Sequence, residues 1–503
     1  MATLVRLVRA SALAASMAAI SAYGSLPAAE PRQPQPTSLA LPKTPLDLGS
    51  DVADFYRDRG FAPLWVAGSA LRPATARLLS LLPPDPQLEN AVRAAASGEA
   101  YALARADLLL TKAYADHFIT VGRPPETNNM HYVDAELRPA NVTLRASLDH
   151  LASTRNIVAH LLTIESRNPA FDGLRRGLDL YRARWSALPQ HVVPGSADRA
   201  LLERRMGVTG EEALVARLRE FQRIHALEVT GLADPATVAA LNRGAAFYER
   251  LIERNIERAR AIPARPNGRY ILVDTASAQL WMIDDGRIVD RMRVIVGKAG
   301  MQTPAMAGLM RHVVLNPYWN LPPDLIRQRA RNAVRRSAAI ANERLQVLSD
   351  WSDQARPLDP RQVDWASVAT GRRYVNLRQR PGPDNMMGAI KFMFPNELGI
   401  YLHDTPFREH FARSDRRISS GCVRVEDAAR LTRWVFGGVS PRPSGTPEQE
   451  VDLPEPIPVY ITHLTALPTR DGIVFQRDHY GRDRVRTGSA RNREGRARPA
   501  RPE

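Results

Sequence analysis

A chain of 503 residues with one cysteine, Cys422, cannot close an internal disulfide. It can give at most one thiolate to a metal site, and neither a His-Glu-x-x-His run nor a paired-cysteine spacing accompanies it. Aromatic residues are few, 6%, but the 44% hydrophobic content suits a globular chain of several domains, about three by length. No hydrophobic run reaches the ~20 residues that span a bilayer. Nucleic-acid motifs are also missing, although the net charge of +16 would suit an anionic polymer.

The lone thiol sits in Ser419-Ser420-Gly421-Cys422-Val423-Arg424, downstream of His403, which ends the apolar run Gly399-Ile400-Tyr401-Leu402. A thiol and an imidazole in neighbouring segments outline a cysteine nucleophile and its base. The competing use is a small buried hydrophobe. Arg6 and Arg9, the Ala-rich stretch Ser11 to Ala22, and Leu26-Pro27-Ala28-Ala29 read as an export signal over 1–29, with an uncleaved anchor as the alternative. The sequence therefore predicts a protein outside the cytoplasm, where a single cysteine stands out.

A Pro-rich linker over 30–49 leads into a helical scaffold region, 50–206, in which Leu174, Leu178 and Tyr181 share one helical face. No catalytic constellation is visible before residue 200. Residues 207–244 form a second helical unit: Leu214, Leu218 and Phe221 repeat helically, and Asp234-Pro235 opens the next helix. A helical linker over 245–267 follows. From 268 to 480 the periodicity is two, with Asp285-Gly286 as a hairpin turn. This predicts an α+β multidomain chain whose mainly β domain is interrupted by an Arg/Ala-rich helical insertion, 320–373, either a lid or a packed subdomain. The Arg-rich stretch 481–503 reads as a disordered tail.

Leu218-Arg219-Glu220-Phe221-Gln222 with Val229-Thr230-Gly231-Leu232 and Leu241-Asn242 resembles the small peptidoglycan-binding domain; a helical hairpin that binds nothing is the competing reading. The motifs Val294-Ile295-Val296-Gly297-Lys298, Gln302-Thr303-Pro304, Asn316-Pro317-Tyr318-Trp319-Asn320, Tyr401-Leu402-His403-Asp404-Thr405 and Ser419-Ser420-Gly421-Cys422-Val423-Arg424 resemble the L,D-transpeptidase family. The likeness is to its large periplasmic subgroup, with a helical scaffold, a peptidoglycan-binding module and a capping insertion. Many family members carry histidine where Ser420 stands, and serine there marks the large subgroup.

The resemblance implies a peptidoglycan enzyme of the periplasm that needs no cofactor. Cys422 would attack a donor stem tetrapeptide and release terminal D-alanine; a second stem's amine would take up the thioester, giving a 3→3 cross-link. His403 is the base, and carbapenems are expected to add to Cys422. Amides around Gly421 and Cys422 are the oxyanion candidates, with an ordinary turn as the other role for Gly421. Arg424 suits a substrate carboxylate or a structural ion pair. Tyr401 could line the pocket or fill the core, and Ser419 could orient His403 or close a turn. Trp319 and Asn316 border the donor pocket by resemblance, and are core and turn residues on chemistry alone. Asp404 should face away from His403. Three other readings remain open: water or a lipoprotein lysine as acceptor, a non-catalytic wall-binding protein, and a zinc peptidase using His403, His410, Asp404 and Cys422.

Overall fold

The computed structural model describes residues 38–39 and 46–484, apart from 83, 123–129, 141, 166–167, 196–197, 264–267, 336–339, 341–342 and 353. The expected signal, most of the linker, and the tail beyond 484 lie outside these residues. The chain divides into two compact units.

The first unit, mainly helical, holds the described residues up to 122 together with those of 139–165. Its helices include Pro86–Ala94, capped by Asp85 with proline at the first turn, and the long Ala100–Gly122. The core gathers Tyr56, Trp65, Leu110 and Tyr114. Within it, Asp107 is fully buried and accepts hydrogen bonds from the Leu64 and Trp65 amides at 3.0 and 2.6 Å and from the Tyr56 hydroxyl. Burial raises this carboxyl to about 6. Every bond it makes is internal, which is how a buried acid serves structure.

The second unit contains the described residues of 130–138, 168–262 and 268–484. Asn168 caps the helix Pro169–Tyr181, whose Leu174, Leu178 and Tyr181 face inward as their spacing predicts. The helices Glu211–Ile224 and Pro235–Asn242 form the expected compact pair. Gln222 joins them, its amide donating to Thr230, Leu232 and Thr237 and accepting from Gly231.

The β domain is a ten-stranded sheet. Gln279–Asp284 and Arg287–Gly297 meet at Asp285-Gly286, both with positive φ, as an Asp-Gly hairpin requires. Ile390–Met393 pairs both with Leu402–His403 and with Met306–Leu315, so the path of strands closes on itself. Leu280, Val294, Val313, Phe392, Leu402 and Val423 fill the enclosed core. His131–Tyr132, from the region expected to be wholly helical, adds parallel to Met306–Leu315.

Two boundaries differ from the sequence reading. The insertion is not purely helical: besides the helix Pro323–Arg335 it has a four-stranded sheet built from Trp319–Asn320, Leu345–Leu348, Pro357–Leu358 and Asn376–Gln379. Its core, with Trp319, Ile326, Val347, Trp365 and Leu377, runs on to Met387. Strands of two to four residues are too short for alternation to stand out against the Arg/Ala-rich helix. The tail also begins later than 481, because Arg482 and Asp483 are anchored to the fold. The Arg482 guanidinium lies over the Tyr480 ring at 4.9 Å, and Asp483 pairs with Arg258 at 2.8 Å. Composition marks an arginine as charged, but it does not show the ring that waits for it.

Candidate active site

Cys422 ends a turn between the strands Arg417–Ser419 and Val423–Val425. Gly421 has φ +126, a conformation open mainly to glycine, and a side chain there would press on Ile400. Ser419 ties the turn together: its hydroxyl donates to the Cys422 carbonyl at 2.6 Å and accepts from the Gly421 amide at 3.2 Å. That hydroxyl is thus committed to closing the turn, and Ser419 is buried. Ser420 is exposed at the tip. Because the Gly421 amide is spent on Ser419, the Cys422 amide is the one left without a partner among the described residues.

Leu402–His403 runs parallel to Val423–Val425, with Leu402 opposite Val423 and His403 opposite Arg424. The pairing extends one step back, where the Val423 amide donates to the Tyr401 carbonyl at 3.1 Å. Alternation then sets Tyr401, His403, Cys422 and Arg424 on one face, with Cys422 and His403 as diagonal neighbours. The half-buried thiol donates weakly to the Gly399 carbonyl at 3.5 Å, and Tyr401 is the neighbour that most favours its charged form. Among the described residues no hydrogen bond joins the Cys422 sulfur to His403.

The His403 ring is buried, and its Nδ1 lies 2.6 Å from the Asp404 carbonyl. A carbonyl only accepts, so Nδ1 carries the proton and Nε2 holds the free lone pair of the neutral ring. Burial, helped by the Arg424 cation, pushes this imidazole down to about 3. Burial also pushes the Cys422 thiol up. At neutral pH the pair is a thiol and a neutral imidazole. The group that orients His403 is a backbone carbonyl, which carries no side-chain signature, and not the Ser419 hydroxyl that the sequence offered as a candidate. The Asp404 carboxylate itself binds Arg408 at 2.6 Å and the Ala389 amide at 2.9 Å.

Arg424 is half-buried, with a buried Nε lacking any hydrogen-bond partner, and no ion pair holds it among the described residues. Across the other ladder, Lys391 stands opposite His403 but is paired with Glu448 at 3.3 Å. A guanidinium left without a carboxylate partner can take an anion in a two-pronged hydrogen bond. Tyr401 packs on the core of the insertion, where its hydroxyl donates to Met387 Sδ at 3.4 Å.

Trp319 belongs to the core of the insertion, and Asn316 is a turn residue with φ +49 whose amide donates to Ala389. Neither has a hydrogen bond to Cys422, His403 or Arg424 among the described residues. No cluster of three or more His, Cys, Asp or Glu side chains able to hold a metal ion occurs among those residues, and no helix there is long and apolar enough to cross a membrane.

Residues 268–451 match the YkuD family, the L,D-transpeptidase catalytic domain, and residues 50–178 match the Scaffold domain family. A putative L,D-transpeptidase of Haemophilus influenzae is 35% identical over 237 residues, which are 46% of this chain and 47% of that protein. The chain thus spans about half the length of that curated relative. Among solved structures, an L,D-transpeptidase from Mycobacterium smegmatis overlaps 38% of this chain and 58% of its own at 11% identity and a TM-score of 0.19. L,D-transpeptidase 3 from Mycobacterium tuberculosis, in complex with a faropenem-derived adduct, overlaps 39% and 60% at 11% identity and the same score. The chain thus carries an L,D-transpeptidase catalytic domain over 268–451 and a Scaffold domain over 50–178.

Proposed function

We propose that this protein forms 3→3 cross-links in periplasmic peptidoglycan by cysteine acyl transfer, after export by its N-terminal segment. Cys422 Sγ attacks the carbonyl of the third residue of a donor tetrapeptide while its proton passes to His403 Nε2. The tetrahedral oxygen takes the Cys422 amide, the C–N bond breaks, and His403 returns the proton to the departing D-alanine amine. The side-chain amine of a second stem then attacks the thioester, restoring the thiol. One amide replaces another, so no external energy source or cofactor enters.

The observation that carries this reading is the unpaired Arg424 on the same face as a half-buried thiol and a neutral, pinned imidazole. A substrate carboxylate would satisfy the guanidinium and hold the scissile carbonyl near the sulfur. Such apo geometry tightens when substrate arrives. The same thiol is open to acylation by carbapenems. The helix pair within 207–244 would hold the enzyme on the sacculus, with Val229 and Leu232 exposed on its connecting loop.

The test incubates the full chain with purified tetrapeptides and follows products by mass spectrometry. Dimers with matching D-alanine release are expected, and none with Cys422→Ser. Tripeptide alone would make water the acceptor. An unchanged substrate, with no adduct on Cys422, overturns the acyl-transfer account.

A further inference from the structure

We propose that Tyr480, carried on the C-terminal strap Arg477–Asp483, is a positioning residue for the Cys422 turn. The strap lies beyond the segment 268–451 that matches the catalytic family. The proposal rests on the acyl-transfer reading of Cys422 and adds a part of the machinery to it.

A chain of hydrogen bonds links the phenol to the nucleophile. The Tyr480 hydroxyl donates to the Gly297 carbonyl at 2.5 Å and accepts from the Thr303 amide at 3.4 Å. Thr303, itself fully buried, accepts from the Gly297 amide at 2.9 Å and donates its own hydroxyl proton to the Gly421 carbonyl at 2.6 Å. Next to it, the Lys298 amide donates to the Ser419 carbonyl at 3.0 Å. The loop 297–303 therefore grips both ends of the turn that presents Cys422. It closes so tightly that a Cβ on Gly297 would sit 2.1 Å from the Met301 carbonyl oxygen and 2.6 Å from the Thr303 nitrogen. Tyr480 fastens the far side of that loop.

The strap is held strongly enough to act as a fixed point. Asp478 accepts from the Arg482 and Asp483 amides at 3.0 and 2.7 Å and pairs with His463 Nε2 at 3.0 Å. The Thr275 hydroxyl lies 2.8 Å from His463 Nδ1 and 2.9 Å from the Thr462 carbonyl. The ring is thus held at both nitrogens, between the Thr275 hydroxyl and the Asp478 carboxylate. The Tyr480 ring stacks on that imidazole at 4.9 Å and 12°. Arg482 lies over the same phenol and reaches the Thr303 carbonyl at 3.0 Å. Burial keeps the phenol protonated, so it is a constant donor. A nucleophile displaced by about an ångström can lose roughly a hundredfold in rate.

The test compares the full chain with Tyr480→Phe, Thr303→Val, the double variant and Thr303→Ser, following carbapenem acylation of Cys422 by intact mass. Tyr480→Phe should acylate about 10- to 100-fold more slowly at saturating carbapenem, with the half-saturating concentration little changed. Alkylation by iodoacetamide at high pH, which needs no oriented attack, should stay within about twofold. Thr303→Val should fall similarly, the double variant should be no worse than the weaker single one, and Thr303→Ser should recover most of the rate. Acylation of Tyr480→Phe within twofold of the parent overturns the proposal. So does a joint loss of both reactions, or an additive double variant. If Tyr480→Phe fails to fold, the Thr303→Ser and Thr303→Val pair decides: equal rates overturn the proposal. A parent chain that takes no adduct overturns the acyl-transfer reading itself, and this proposal with it.

Discussion

His225 and His403 are both buried and both held neutral, each pushed down to about 3 mainly by burial. By depth and protonation they cannot be told apart. Their ring nitrogens separate them. His225, in the helix pair, gives Nδ1 to the Phe221 carbonyl at 2.7 Å and takes the Tyr181 hydroxyl on Nε2 at 3.1 Å. It is enclosed by Phe221, Tyr248 and Phe475. His403 spends Nδ1 on a carbonyl in the same way, but its Nε2 has no hydrogen-bond partner among the described residues. One histidine is finished and the other has a lone pair to use. A perturbed titration points to a functional site only after such an account of each polar atom.

The sharpest test of this contrast exchanges each ring for glutamine. His403→Gln should slow carbapenem acylation of Cys422 by about 10²–10⁴-fold, the range of lost general-base catalysis, while leaving the melting point nearly unchanged. His225→Gln should do the reverse. It strands the Tyr181 hydroxyl and loosens an aromatic cluster, at a cost of about 1–3 kcal/mol, while the folded fraction keeps its acylation rate. Inverted outcomes would show that nitrogen bookkeeping does not identify the base. Next in size is Arg424→Gln. Loss of a charged hydrogen bond is worth about 1.5–3 kcal/mol, so KM for the tetrapeptide should rise at least about tenfold. An unchanged KM would assign the guanidinium a role other than substrate capture.

Much of this was legible before any coordinates. The Asp-Gly turn, the helical faces around Leu174 and Leu214, and the pairing of a lone cysteine with His403 follow from local pattern. Strand Ile390–Met393 did not, although it closes the sheet, because four residues beside a Gly/Pro/Asn-rich loop carry little alternation. The commitment of the Gly421 amide, the carbonyl that orients His403 and the grip of Tyr480 on Gly297 are backbone contacts or long-range ones. A residue type does not encode them. The unpaired state of Arg424 is likewise a property of its surroundings, since the sequence offers many acids that could have met it.

The two histidines also predict a shared behaviour in acid. Each has a folded value near 3, below the ~6.5 of the unfolded chain, so as pH falls through 6.5 the unfolded state takes up protons first. The stability they contribute is complete above about 6.5 and is lost progressively towards 3. Urea midpoints of the parent should therefore fall across that window. Either glutamine exchange should flatten the slope there, and a slope unaffected by both would mean that the rings are charged in the fold.

The smallest expected effect concerns the thiol. Burial raises it, while the neighbouring Tyr401 and the Arg424 charge work in the opposite direction. The rate of alkylation by iodoacetamide should therefore climb with pH through a midpoint above the ~8.5 of a free cysteine, with no plateau at low pH. Tyr401→Phe removes a polar neighbour that favours thiolate, so its midpoint should lie higher still. His403→Gln should barely move it, because no hydrogen bond joins that ring to the sulfur in the free enzyme. A low-pH plateau in the parent that vanishes with His403→Gln would instead show a preformed thiolate–imidazolium pair. The proton would then move before substrate arrives, and the lone pair on Nε2 that sets His403 apart from His225 would already be filled.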